Sequence, residues 1–329
     1  MNILVTGGYG LIGHNVVKRL QDMNHDVVIV DNCTRYGIIP EDEMSYLLSE
    51  RTNIIGKSSP RYYYDISNPN LMKSVFEIEQ PEIVMHLASF PRQRVVNSNP
   101  CWGSQTMSEG LLSLLEASKL NHVRKFVYVS SSMVYGNFKD TYFDGIDEDH
   151  ECHPIGQYGI MKLSGEMLVK DYARQTNMAG VIVRPSAVYG PLDCEDRVVS
   201  KFLLTAMRGG DIHVNGAKEE LDFTYIDDAV DGITNAAISD STDNMTYNIT
   251  RGSARTLLDA AELAISIAGQ GTLEILDRDL SFPKRGRLSI DKARFDLGYN
   301  PTIDFEQGLK QYYDWYQQNP VLWRGSSIH

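Results

Sequence analysis

Residues 2–13 read NILVTGGYGLIG, and the reading of this stretch decides the fold. A short apolar run at 2–5 enters a loop that places Gly7, Gly10 and Gly13 three residues apart. Apolar side chains then recur at helical spacing over 11–23, LIGHNVVKRLQDM. A strand that passes through a glycine loop into a helix makes a seat for a pyrophosphate. Free N–H groups and the helix dipole both favour an anion there. Gly7 and Gly10 let the backbone come close, and Gly13 lets the helix pack on its sheet. A glycine trio alone also fits a tight turn, so the surroundings must decide.

The next β-branched run, HDVVIVD at 25–31, ends in Asp31. That is about the distance at which a carboxylate meets the adenosine ribose, and it favours NAD because a 2′-phosphate would be repelled. Arg35 keeps the alternative open, since a nearby arginine can accommodate that phosphate. Asp65 is placed either to meet the adenine amino group or to serve as a turn carboxylate. Further strands are expected at 62–66, 81–89, 125–132 and 179–186. Helices are expected from the capping Asn68 onward, over 101–120 and over 156–177. Short strands alternating with helices, several apolar on both faces, predict an α/β, doubly wound parallel sheet. A smaller, mostly helical C-terminal substrate domain follows. The nucleotide-binding domain is expected at 1–186 plus about 222–252, and the substrate domain at 187–221 plus 253–329.

A chain of 329 residues with 42% hydrophobic residues can build such a core. The net charge of −12 argues against nucleic acid or an anionic membrane as partner, but a few local arginines can still hold a phosphorylated ligand. Cys33, Cys101, Cys152 and Cys194 are too scattered for a metal site or a disulfide framework, so no metal is expected. With no signal peptide and no apolar run of spanning length, a cytoplasmic protein is expected.

Residues 156–162, GQYGIMK, set Tyr158 one helical turn before Lys162. With 18 tyrosines in the chain, about one such match arises by accident. The pair gains meaning from the glycine loop. A phenol of pKa about 10 needs roughly 3 units of lowering to act as a base near pH 7. One ammonium supplies about 1–3 of them, and an oxidised nicotinamide adds to it. The serines that end the fifth strand, Ser130, Ser131 and Ser132, stand where ligands of a doubly wound sheet bind, or are turn-forming hydroxyls.

The ordered set TGGYGLIG, VDN, DI, HLAS, SSSMVYG, YGIMK, RPSAVYGP, DFTYIDD, YNIT and LGYNP resembles the extended short-chain dehydrogenase/reductase family over nearly the whole chain. Within it the chain is most similar to nucleotide-sugar epimerases of the UDP-glucose 4-epimerase type. The resemblance implies a Rossmann sheet, NAD as cofactor, a nucleotide-diphosphate sugar as partner and a homodimer built on the helices at 101–120 and 156–177. Those helices' apolar stripes otherwise face the sheet. It implies that Tyr158 is the general base, Lys162 its tuner and Ser131 the catalytic hydroxyl. NAD would be held by Gly7, Tyr9, Gly10, Leu11, Ile12, Gly13, Asp31, Asn32, Asp65, Ile66, Leu87, Ala88, Ser89, Tyr158, Lys162 and Val188. Substrate would be met by Ser132 and Arg285, with Arg287 as a further candidate. Arg92 and Arg94, after HLASFP, help hold the diphosphate or bind an acidic sugar, or else belong to a solvated loop.

Dehydratases and decarboxylases of the family usually carry an acid just after the catalytic hydroxyl. Ser132 and Met133 stand there instead, which leaves hydride transfer and a single base–acid couple. Epimerisation at C4 is the expected reaction. A dehydratase or other dehydrogenase, or a non-catalytic NAD-binding scaffold, are the alternatives. Three positions depart from the family pattern: Met107 and Ala187 replace asparagines, and Leu221 replaces an arginine. The grip on the nucleotide diphosphate must differ accordingly.

Overall fold

The computed structural model describes residues 1–323 except 36, 38, 91–92 and 139–144. Six strands come first: β1 (Asn2–Thr6), β2 (Asp26–Val30), β3 (Arg61–Tyr62), β4 (Ile83–His86), β5 (Lys125–Val129) and β6 (Ala179–Pro185). The chain then leaves the sheet and returns to it with Thr246–Ile249. The strands lie in the order Thr246–Ile249, β6, β5, β4, β1, β2, β3, and every pairing is parallel. This is the doubly wound Rossmann arrangement. Strand order reverses between β1 and β4, which opens a crevice at the carboxyl ends of those two strands.

A parallel sheet covered on both faces must be apolar on both. In β1, Ile3 and Val5 enter one core with Val16, Val17 and Leu20 of α1 (Leu11–Asp22), while Leu4 enters the other. That second core holds Met72, Val75 and Phe76 of α3 (Pro69–Glu79). The start of α3 is as the sequence predicts: the Asn68 side chain accepts from the N–H groups of Asn70 and Leu71, and Pro69 opens the helix.

Three local expectations need correction. The third strand is Arg61–Tyr62, not 62–66. Asp65 accepts from the Ser67 N–H and hydroxyl, at 2.9 and 2.7 Å, and turns the chain out of the ladder. The helix expected over 101–120 runs as Pro100–Ser104 and Gly110–Leu120 joined by a π-helical turn, Gln105–Glu109. Such turns concentrate at functional sites. Finally, α2 (Glu41–Ile55) was not anticipated. Its acidic first turn and its buried stripe Met44, Leu47, Arg51, Ile55 carry the signal, but Arg51 interrupts the apolar pattern.

Beyond the sheet stand the helices Val198–Met207, Leu257–Ala268, Asp291–Leu297 and Phe305–Gln318. Strands accompany them. Asp211–Asn215 pairs parallel with Thr272–Leu276, and Glu220–Asp222 pairs antiparallel with Ala254–Thr256. The helix Ile226–Ile238 instead packs on α1 under the sheet. Among the described residues no helix is long and apolar enough to cross a membrane.

Candidate active site

A cleft of about 640 Å³ runs along the carboxyl ends of the strands, closed on its far side by residues of 187–221 and 278–285. The glycine loop forms its floor. Gly7 has φ +71°, and a Cβ there would sit 2.6 Å from the Ala88 nitrogen. A Cβ on Gly13 would come within 2.0 Å of the Gly7 carbonyl. The loop therefore needs glycine both for its conformation and for its closeness to the Leu87–Ala88 backbone.

Asp31 is fixed from two sides. The Tyr9 N–H donates to Oδ2 at 2.9 Å and the Cys33 N–H to Oδ1 at 2.8 Å. Burial raises its pKa, against the lowering by those bonds and by Arg51. Each oxygen keeps acceptor capacity for a ribose hydroxyl. Arg35 turns away, donating to Ser45 Oγ at 3.1 Å and lying 3.7 Å from Glu41. No guanidinium from Arg35 therefore waits beside Asp31 for a 2′-phosphate.

Of the residues expected to hold the cofactor, Gly7, Tyr9, Gly10, Leu11, Ile12, Gly13, Asp31, Asn32, Ile66, Leu87, Ala88, Ser89, Tyr158, Lys162 and Val188 all line the cleft. Asp65 does not. Its carboxylate accepts from Ser67 and from Asn32 Nδ2 at 3.0 Å, just behind the cleft wall that Asn32 and Ile66 form. A glycine cradle, a fixed carboxylate and a cleft of this volume fit a dinucleotide.

The chemistry stands at the end of β5. Ser131 caps a short turn, Ser132–Tyr135, by accepting from the Met133 N–H at 3.2 Å. Across from it the helix Gln157–Gln175 presents Tyr158 and, one turn on, Lys162. The Tyr158 side chain and the Ser131 hydroxyl both face the cleft there. Lys162 is 3% exposed; its Nζ donates to the Val129 carbonyl at 2.7 Å and lies 6.0 Å from the centre of the Tyr158 ring. The structure thus brings Ser131, Tyr158 and Lys162 together.

The electrostatics differ from expectation. Burial raises the Tyr158 pKa, and the cation that opposes it is Arg197, followed by the nearby Ser131 hydroxyl. Lys162 is itself lowered to about 7 by burial, with Glu166 pulling the other way. An amine held near neutrality by its own desolvation lends its neighbour little positive charge. Lys162 can act as tuner only once its charged form is favoured, as hydrogen bonds to ribose hydroxyls would do.

On the substrate side Ser132 and Arg285 line the cleft, and exposed Arg94 stands at its wall. Arg285 is lowered to about 10, first by burial and then by Arg197. Arg287 does not reach the cleft wall; it is exposed, and its carbonyl accepts from the Ile146 N–H. Arg92 lies outside the described residues. Of the departures, Met107 is buried with Phe90, Val95 and Val96 against Tyr158. Ala187 takes φ +37°, a region where asparagine is the easier residue, and Leu221 is buried in the apolar core at the cleft wall.

Three arginines of the cleft escaped the sequence reading. Arg51 donates to the Tyr9 carbonyl at 3.0 Å and to the Leu192 carbonyl at 2.6 Å. Arg197, just before the helix Val198–Met207, lies 3.7 Å from Asp193. Arg278 pairs with Glu219 at 2.8 Å. Their signal in the sequence was only a basic residue beside a turn or a carboxylate, which is common on any surface.

Fold and site together define a nucleotide-dependent oxidoreductive enzyme with a serine–tyrosine–lysine centre. The chain belongs to the NAD dependent epimerase/dehydratase family, whose profile matches residues 3–250. Its cofactor is NAD. It is 28% identical to the UDP-glucose 4-epimerase of Thermotoga maritima, solved with UDP-glucose, with a TM-score of 0.87 over 97% of this chain and 100% of the other. It is 27% identical to UDP-glucuronic acid 4-epimerase from Bacillus cereus, solved with UDP-glucuronic acid and NAD, again with a TM-score of 0.87 over 97% and 100%. A trifunctional UDP-glucose 4,6-dehydratase/UDP-4-keto-6-deoxy-D-glucose 3,5-epimerase/UDP-4-keto-L-rhamnose-reductase of Arabidopsis thaliana is 27% identical over 98% of this chain. The chain spans about half the length of that relative, 48%.

Proposed function

We propose that the protein interconverts nucleotide-diphosphate sugars epimeric at C4. The observation that carries this reading is the chemistry at the end of β5. Ser131, Tyr158 and Lys162 converge there, while the two residues after Ser131 are Ser132 and Met133, buried and without an acidic group. One base–acid couple can take a hydroxyl proton and give it back. Removing water across the sugar ring needs a second proton-transfer group.

Tyr158 takes the hydroxyl proton, with the Ser131 hydroxyl and Arg197 both favouring the phenolate. Lys162 holds the nicotinamide-side ribose and adds its charge when ammonium. NAD held by the glycine loop, Asp31 and Lys162 would supply the reversible hydride acceptance that such an exchange of faces needs. Arg285, Arg278 and Arg197 supply the positive charge for the diphosphate that Leu221 cannot. The dehydratase reading draws support from the Arabidopsis relative's name, but Ser132 and Met133 speak against it. A homodimer belongs to the same proposal: Ile160 and Met167, seven residues apart on the helix Gln157–Gln175, are 53% and 65% exposed, a pair of apolar side chains for a second copy to cover.

The test is a panel of nucleotide sugars, beginning with UDP-glucose and UDP-glucuronic acid, incubated in deuterated water and followed by NMR. A C4 epimer free of carbon-bound deuterium supports the proposal. Deuterium beside a new carbonyl sinks it in favour of dehydration.

A further inference from the structure

Residues 278–285, RDLSFPKR, cross the cleft as a strap, with Arg278, Asp279, Phe282, Pro283 and Arg285 on its wall. The crown of the strap braces itself. Arg278 Nη2 donates to the Phe282 carbonyl at 2.8 Å, and the Asp279 carboxylate accepts from the Ser281 N–H and hydroxyl at 2.9 and 2.6 Å. Both feet are pinned. Arg278 Nε lies 2.8 Å from the Glu219 carboxylate. At the other foot the Lys284 N–H donates to Asn137 Oδ1 and the Phe138 N–H to the Lys284 carbonyl, each at 2.8 Å. The crown is tied across the cleft by a side chain: Gln93 Nε2 donates to the Ser281 carbonyl at 2.7 Å.

Gln93 is 6% exposed, and its amide rests on the start of the catalytic helix. A Cβ on Gly156, the cap two residues before Tyr158, would lie 2.6 Å from Gln93 Nε2. The tie therefore sits at the end of the cleft where the sugar must react. Two features mark it as a tie made to open. The Ser281 carbonyl fixes the sense of the amide, because only its nitrogen can face that oxygen. Oε1 is left buried and, among the described residues, meets no donor. A glutamine used as a brace has both ends bonded. Here, lifting the crown hydrates the idle oxygen and offsets part of the lost bond. Leu280, at the crown, is 79% exposed, so opening gives up little apolar burial there.

We infer that residues 278–284 are a flap over the sugar end of the cleft, hinged at its feet and latched at Ser281 by Gln93. Arg278 and Arg285, cations proposed above for the diphosphate, stand at those feet, so substrate is held at the hinge while the crown lifts to pass the sugar. The inference rests on the nucleotide-sugar reading only for what passes the gate, and its first measurement uses no substrate.

That measurement is hydrogen exchange of the full chain, comparing the 278–283 segment with the pin at 132–138. Gln93→Asn keeps the amide but withdraws it by one methylene. Gln93→Glu keeps the length but replaces the donor by a carboxylate. In each, exchange over 278–283 rises about fivefold, the worth of one hydrogen bond, while 132–138 is unchanged. Whichever of UDP-glucose and UDP-glucuronic acid the wild type binds then leaves the variants faster by about the same factor in stopped flow, with NAD affinity kept. If neither binds, the substrate reading falls and the exchange result still decides the flap. Should one variant fail to fold, the other must show the same selective rise. Exchange over 278–283 that stays at the wild-type rate, or that rises no more than at 132–138, overturns the inference and leaves Gln93 a packing residue.

Discussion

Tyr158 carries the largest single expectation. Tyr158→Phe keeps the ring packed against the Met107 and Phe90 cluster but removes the phenolic oxygen that would carry the proton. Proton transfer by a positioned group contributes about 10²–10⁴-fold, so epimerisation rates should fall by that much while NAD affinity changes less than about threefold. Initial rates and fluorescence titration of the same preparation separate the two effects. Lys162 makes a second prediction. Its amine titrates at about 7 in the cofactor-free fold, against the ordinary 10.5 of the unfolded chain. Between those values the unfolded chain holds more protons, so this group's contribution to stability rises with pH across that window. NAD binding that favours the ammonium must then take up a proton. At pH 8 the uptake approaches about 0.9 proton per site, measurable by calorimetry in buffers of different ionisation enthalpy, and Lys162→Met abolishes it.

At the scale of elements, the strand–loop–helix unit of β1 and α1 has the least tolerance. A Cβ on Gly13 would meet the Gly7 carbonyl at 2.0 Å, and backbone must move to admit it. Overpacking of this kind costs about 1–3 kcal/mol, so Gly13→Ala should weaken NAD roughly 10- to 100-fold, read by the same titration. This unit was legible in the sequence because its constraints are local: a glycine where a carbonyl crowds, an asparagine where a helix starts. The features that escaped reading depend on distant partners. Arg51 looks like a solvated helix residue until Tyr9 and Leu192, 42 and 141 positions away, offer it their carbonyls. Asp65 reads equally as an adenine ligand or a turn carboxylate, and the turn shows only when Ser67 bonds its oxygen. The tuning of Tyr158 by Arg197 joins residues that no spacing rule connects.

For the whole molecule, the order of motifs along the chain was enough to foresee the sheet, its parallel sense and the convergence of Ser131, Tyr158 and Lys162. Assembly gives the next prediction. Burying Ile160 and Met167 against a second copy should make the protein sediment as a dimer, and Met167→Glu should shift it towards monomer in analytical ultracentrifugation without loss of helix content. One feature described above also bears on turnover. Arg51 clasps the glycine loop with one nitrogen and the 189–197 loop with another, lacing the floor of the cleft to its opposite wall. A dinucleotide seated beneath such a clasp is shut in like a bolt behind a hasp. On the proposed reading, such a tie would slow escape of the reduced form and leave time for the hydride to be handed back.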